Sequence, residues 1–363
     1  MSRIDAARRV SLVLVLSAAT GLGVAAIEAA SAADASRGAT ADAAGSVQVL
    51  QVASGIYMMT ADGVNVAVET GPRGTLVVNA GPQGTANALL AAIRQVTSGP
   101  ISYVIDTGGD PELVGGNAAL AAAGVSEQDK DPFAANQRRG LSPLLSLAGS
   151  GSAATVIARQ DVLNRMVSEP GVNYQGAGLP TATFTRKQFN FIFNEPVAVI
   201  ALPNGHSNID AAVRFERSDV VVAGAVFDQT RFPVIDTSHG GSIQGELDAL
   251  GEIANTMAFE SAPMVMDTGG TLIIPERGPL CDQDDLVVYM DMVATIRARI
   301  EYYLDQGKSL EQVQALGPTE GYEARYGSDT GSWTTKDFVA AVYRSLQAQR
   351  KAHLHPVRGR ADE

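Results

Sequence analysis

Between Val47 and Val78 the chain reverses direction every few residues, and that spacing restricts this part to a sheet built of hairpins. Apolar runs at Val47–Val52, Ile56–Met59, Val64–Glu69 and Thr75–Val78 are separated by Ser54-Gly55, Asp62-Gly63 and Gly71-Pro72. Runs this short, cut by turn-forming dipeptides, start an antiparallel or mixed sheet. A helix is predicted over Thr85–Val96, where Leu89, Leu90, Ile93 and Val96 recur at helical spacing. A short apolar strand at Ile101–Ile105 and a helix at Asn117–Ala123 follow. The second half repeats the style, with a strand at Val156–Ala158 and a helix at Asp161–Val167. Strands follow at Phe189–Phe193, Val197–Leu202, Ala211–Phe215 and Val220–Ala223. Ile243–Ala254 reads as a helix, and Met264–Met266 and Leu272–Ile274 as short buried strands. Tyr289, Met292, Val293, Ile296, Ile300 and Leu304 line one face of a long helix. Ser309-Leu310-Glu311-Gln312 opens the next with a capping-type start, and Phe338–Leu346 closes the fold. Two β-rich halves with interspersed helices predict an α/β fold, a four-layer αββα sandwich with a helical C-terminal part.

The flanks and the charge narrow the functional classes. Arg3, Arg8 and Arg9 precede an apolar run from Val10 to Ala26, and Ala30-Ser31-Ala32 has the small-x-small form of a cleavage site. Residues 1–32 are therefore expected to be a signal peptide that makes the protein periplasmic or secreted. Arg8-Arg9 also admits twin-arginine export. Ser17, Thr20, Gly21 and Gly23 dilute the run against the reading as an uncleaved anchor. Residues 33–46 are expected to be a disordered lead-in, 47–282 the main domain with an inserted loop at about 125–153, 283–347 its helical part, and 348–363 a polar tail. A net charge of −12 gives nucleic acid or an anionic membrane no basic face to bind. Cys281 is the sole cysteine, which excludes a cysteine-rich metal site. Four histidines are few for a dizinc centre, and His353 and His355 lie in the tail.

The loop after the Ile101–Ile105 strand reads Asp106-Thr107-Gly108-Gly109-Asp110-Pro111-Glu112-Leu113-Val114-Gly115-Gly116-Asn117. It has the frame of a Thr-His-x-His-x-Asp-His-x-Gly-Gly-Asn signature. Four further segments fall in the matching order: Leu76-Val77-Val78-Asn79-Ala80-Gly81, Leu202 through Asp210, Val222 through Phe227, and Ile274-Pro275-Glu276-Arg277-Gly278-Pro279. By these segments, over roughly residues 47 to 347, the chain resembles the metallo-β-lactamase-fold hydrolase superfamily, especially its exported, hydrolase-like members. The resemblance implies the αββα sandwich. In the family, imidazoles and carboxylates at these loops hold one or two zinc ions, which activate a bound water and polarise the scissile bond.

Carried over position by position, the two leading histidines fall on Gly108 and Asp110, the motif's Asp on Glu112 and its last His on Leu113. The bridging Asp falls on Ala225, the late-loop His on Arg277, and the supporting Asp on Asn79. Only His206 is kept. The resemblance therefore implies a retired metal centre with no cofactor, and a non-hydrolytic pseudoenzyme that binds a small molecule. The pocket is expected to involve Asn79, Asp110, Glu112, His206, Asp210, His239 and Arg277, with Arg277 replacing the metal's charge by pairing with Asp110 or Glu112. An alternative is an atypical hydrolase of an ester, lactam or thioester, with a single Fe, Mn or Zn ion on Asp110, Glu112 and His206. Another is metal-free acid/base work by His206 and Asp210, although no nucleophile elbow accompanies them. A third is a surface interaction module with a vestigial pocket. His239 either contacts the ligand or merely enters the Ile243 helix. Gly115-Gly116 is no phosphate cradle, since no P-loop lysine follows. Phe227 and Phe232-Pro233 are expected at the pocket rim, Arg138-Arg139 in the inserted loop either solvated or reaching a ligand, and Tyr326 and Trp333 packed among the C-terminal helices.

Overall fold

The computed structural model describes residues 46–126, 153–169, 178–257 and 270–354. The expected signal segment, most of the expected lead-in and inserted loop with Arg138 and Arg139, the strand expected at Met264–Met266 and the last residues of the expected tail lie outside them. Seven strands form the first sheet, in sequence order: β1 (Gln48–Ala53), β2 (Ile56–Ala61), β3 (Val64–Gly71), β4 (Gly74–Val78), β5 (Ile101–Ile105), β6 (Thr155–Arg159) and β7 (Ala182–Phe184). The hairpin turns make β1 to β4 antiparallel, whereas β4 to β7 are parallel. The second sheet comprises β8 (Gln188–Ile192), β9 (Pro196–Ala201), β10 (Ala211–Phe215), β11 (Val220–Val222) and β12 (Leu272–Ile274), ordered β12-β11-β10-β9-β8.

Side-chain alternation assigns the layers. Val66, Val68 and Val77 point to one face of the first sheet, where helices α1 (Ala86–Val96) and α3 (Asn117–Ala123) cover them with Leu89, Ile93 and Leu120. Ala67, Leu76 and Val78, one residue out of phase, point the other way and meet Val199, Val213, Phe215 and Val222 of the second sheet. The second sheet's outer face, with Ile200, Ala212 and Val221, carries α5 (Ile243–Met257), α6 (Gln283–Asp305) and α9 (Thr335–Leu354). Period-2 burial in both sheets thus produces the expected four layers. The parallel strands β4, β5 and β6 are buried along almost their whole length because helices or sheet cover both faces.

Shorter helices complete the chain: α2 (Pro111–Val114), α4 (Gln160–Ser168), α7 (Leu310–Ala315) and α8 (Glu323–Tyr326). Ser309 closes a full capping box on α7, with its side chain accepting from Gln312 and the Gln312 side chain returning the bond. Three details differ from the sequence reading. β7 is a three-residue parallel edge strand, too short to show alternation. α9 runs on to Leu354, into the segment expected to be a polar tail. Phe227 and Phe232 are not at a rim: they are buried under α6 and α9, Phe227 edge-on to Tyr289 and Phe232 stacked on Phe338. Cys281 forms an antiparallel bridge to Ile273 beside β12, and its thiol, buried, donates to the Ile273 carbonyl at 3.4 Å. Burial pushes that thiol well above its ordinary pKa.

The loops after β4, β5, β9, β11 and β12 all leave at one end of the sandwich, and backbone bonds join the two sheets there. Ala211 N–H donates to the Thr107 carbonyl at 2.7 Å, and Asn65 N–H to the Glu276 carbonyl at 2.8 Å.

Candidate functional site

The loop after β4 is shaped by Asn79, which sits in the left-handed region at φ 65°. Asparagine tolerates that conformation better than most residues, and here its side chain is also used. Asn79 Oδ1 accepts both the Thr107 N–H at 3.0 Å and the Thr107 hydroxyl at 2.9 Å. Asn79 is fully buried behind the site and ties the β4 loop to the β5 loop. The retained Gly-Gly-Asn frame has a packing role of the same kind. A Cβ on Gly116 would lie 2.2 Å from the Ala80 carbonyl oxygen, so only glycine admits that approach. Asn117 Nδ2 donates to the buried Asp106 carboxyl at 2.8 Å, and burial raises Asp106 well above the usual carboxylate range.

Between these anchors the loop presents Asp110, Pro111 and Glu112 to a cleft of ≈370 Å³, whose wall also includes His206, Arg231, Glu276 and Trp333. Asp110 occupies the N-cap position of α2, but its side chain makes no capping bond. Its oxygens lie 3.5 Å from Arg165 Nη2 and 3.7 Å from His206 Nδ1. Burial raises the Asp110 pKa, opposed by His206 and Arg165. Glu112 points outward and pairs with Arg277, whose Nη1 also reaches the Asp62 carbonyl at 3.4 Å. Arg277 therefore pairs with Glu112 and not with Asp110, whose cation is Arg165 on α4.

His206 comes from the β9–β10 loop and is held from beneath by Asp210, which is fully buried. Asp210 accepts the Ser207 N–H at 2.5 Å and the Ser207 hydroxyl at 2.9 Å, with His206 Nδ1 at 3.4 Å. Burial pulls the imidazole pKa down, but the Asp210 hydrogen bond and the charges of Asp210, Asp110 and Glu276 outweigh it and push it up to about 10. His206 is thus a fixed cation near neutral pH. Two further carboxyls stand close by. Glu276, from the β12 loop, is raised to about 7 by burial and the nearby Asp228, against Arg231, Arg277 and His206. Glu246 on α5 is fully buried, and burial raises it well above the usual range.

His239 is placed elsewhere. Its ring nitrogens lie 2.5 Å from Asp236 and 2.8 Å from Glu169, in a cluster that Arg165 joins to Asp110. Sequence reasoning missed Arg165, Arg231, Asp228 and Glu246, which come from three separate segments: α4, the loop after β11, and α5. Glu276 lay within a quoted segment, and the available signal was a carboxylate adjoining the replaced histidine position. Trp333, expected only among the helices, packs there and also lines the cleft.

The donor set does not suit a dizinc centre of the kind that the resembling family holds. Gly108 and Ala225 carry no ligand atom, and Leu113 is buried in an apolar cluster with Val64, Val162 and Ile209. Glu112 is engaged by a guanidinium, and His206 Nδ1 faces two carboxylates. Among the described residues no group of three or more His, Cys, Asp or Glu is arranged to hold a metal ion.

The titration of the site gives stability a definite pH dependence. His206 binds its proton more tightly folded than unfolded, so its contribution is complete below about pH 6.5 and is lost as the pH rises through about 10. Glu276 acts in the same direction over a lower window, from its ordinary value of 4.5 to about 7. The thermal midpoint is therefore expected to fall between about pH 5 and pH 10, with the lower half of the slope flattened in Glu276→Gln. A midpoint that rises with pH across that window would refute the assignment.

No protein-family model matches the sequence, and no curated protein matches it either. Among solved structures, the chain aligns with a variant of the sec-alkyl sulfatase PisA1 at TM-score 0.57 and 14% identity. That alignment covers 86% of this chain and 52% of the other, so the chain spans about half of that protein's length. A metallo-β-lactamase from Pontibacter korlensis aligns at TM-score 0.47 and 14% identity, covering 68% of this chain and 99% of its own. DIM-1 metallo-β-lactamase aligns at TM-score 0.48 and 12% identity, covering 69% and 98%. The likeness to the sulfatase variant is one of fold alone.

Proposed function

We propose that this protein of metallo-β-lactamase fold is a pseudoenzyme that binds a small molecule in the cleft without zinc, and that residues 1–32 export it to the periplasm or beyond. The observation that carries the reading is the Arg277–Glu112 pair. It puts a guanidinium at one family ligand position and spends the carboxylate of another on it. A second metal-free pairing, His206 on Asp210, does the same in the β9–β10 loop. Fixed protein charges then do the electrostatic work that a metal would otherwise supply. The cleft itself remains open, which favours binding over a vestigial pocket. Fold alone assigns no reaction, because one scaffold hosts many chemistries.

One observation favours a second reading. Asp110 and His206 approach to 3.7 Å in the same cleft as Glu112, the trio that a mononuclear hydrolase of an ester, lactam or thioester would use. To bind a metal, that trio must release Glu112 from Arg277 and deprotonate His206, whose pKa of about 10 opposes it.

Elemental analysis of mature protein, purified without chelators or metal-affinity steps, separates the two. Metal content is expected to stay far below one per chain after incubation with Zn²⁺, Mn²⁺ or Fe²⁺. About one metal per chain, lost in Asp110→Ala, would refute the zinc-free reading.

A further inference from the structure

The charged groups of the cleft pair off unevenly. Arg231 Nε lies 2.6 Å from Asp228, Arg165 Nε 2.8 Å from Glu169, and Arg277 is closed on Glu112. His206 Nδ1 has Asp210 as its nearer carboxylate, at 3.4 Å. Every cation around the cleft thus already has a carboxylate of its own. Two carboxyls in the cleft wall only share cations that lie closer to another carboxylate. Asp110 has Arg165 only at 3.5 Å and His206 at 3.7 Å. Glu276, at 7% exposure, has Arg231 at 3.7 Å and Arg277 at 3.9 Å, and its carboxyl receives no hydrogen bond among the described residues. A carboxylate has room for about four hydrogen bonds, and leaving it buried without donors is costly.

What Asp110 and Glu276 lack is a cationic donor not shared with another carboxylate, and the geometry points to a small organic ammonium as the ligand of this cleft. Its charged end is received by Asp110 and Glu276, and its apolar part by the Trp333 and Val234 side of the wall. An aromatic wall next to carboxylates suits an ammonium ion, since the ring quadrupole attracts cations as well. An anion would find each guanidinium already beside a carboxylate, and two further carboxylates facing it. At ≈370 Å³ the cleft lies near the lower end of small-molecule sites, which span about 300–1,000 Å³. The inference rests on the reading of the cleft as a metal-free ligand site and adds the sign of the ligand's charge.

The test is calorimetric titration of the mature chain with cyclohexylmethylamine, and with cyclohexanecarboxylate and cyclohexylmethanol as probes of similar shape. A pH of about 8 keeps the amine protonated and ordinary carboxylates ionised. The amine is expected to bind at least ~10-fold more tightly than either other probe, and Glu276→Gln or Asp110→Asn to remove about that factor. Trp333→Leu should weaken it several-fold. Equal or tighter binding of the carboxylate, equal binding of the alcohol, or no binding by any of the three overturns the inference. So does amine binding unaffected by both carboxyl substitutions in variants that unfold at the normal midpoint. The probe comparison on the unaltered protein decides the matter even if a variant fails to fold. A metal in the purified protein would undo the underlying reading of the site, whereas an anion preference in metal-free protein would undo only the ammonium.

Discussion

Asp210→Ala is expected to lower the free energy of unfolding by about 3–5 kcal/mol. Asp210 has no exposed surface, and it holds the Ser207 N–H, the Ser207 hydroxyl and His206 at once. Truncation leaves a buried imidazolium facing Asp110 alone at longer range, and a backbone N–H with no acceptor. Asp210→Asn keeps one oxygen for Ser207 and should cost less, about 1–3 kcal/mol, as for a hydrogen bond that loses its charge. Glu112→Ala is the contrast: its carboxylate is 49% exposed, and such pairs contribute only about 0–1 kcal/mol. Urea unfolding of the three variants measures the order directly. An Asp210→Ala protein within about 1 kcal/mol of the parent would mean that Asp210 does not hold the His206 loop.

The second large effect is expected at Gly245, on the first turn of α5. An ideal Cβ there would sit 1.8 Å from the Asn204 carbonyl oxygen, a backbone atom that already accepts from the Ser242 N–H. Overpacking usually costs about 1–3 kcal/mol, and since backbone is the obstacle here, Gly245→Ala should reach or exceed the top of that range. The strain falls on Asn204, itself at φ 66° and two residues from His206, so ligand binding should weaken along with stability. Gly251→Ala, on the same helix, has nothing within 4 Å of the added methyl and should instead gain about 0.4–1 kcal/mol. Equal responses of the two variants would argue that α5 does not press on the His206 loop.

The sandwich was readable from local pattern because its strands alternate and its turns are marked. Val66 and Val68 against Ala67 already separate two faces, and Ser309 with Gln312 marks a helix start. The α2 turn was hidden because Pro111 and the replaced motif residues occupy it, and β7 is too short to have a period. Phe227 and Phe232 show the limit of such reading: apolar residues in a loop segment look alike whether they border a pocket or lie under α6. The site was readable only along the resembling segments, which bring Asp110, Glu112 and His206 to one cleft, with Arg277 paired to Glu112 beside it. Pairing was not readable there, because it depends on residues from distant elements. Arg165 on α4 takes Asp110, and Asp228 takes Arg231 beneath Glu276. His239, near in sequence to a pocket-bordering loop, is drawn instead to Glu169 and Asp236.

Cys281 gives the molecule a built-in reporter of its own opening. Its thiol is buried, donates to the Ile273 carbonyl, and is kept from ionising by burial. The thiolate is the reactive form, so a thiol reagent meets almost none of it while β12 and α6 stay closed over that position. The modification rate therefore counts excursions in which the second sheet parts from its helices, with one event per chain because no other sulfhydryl competes. In the unaltered sequence, without any attached dye, added mass against time becomes a clock for that joint.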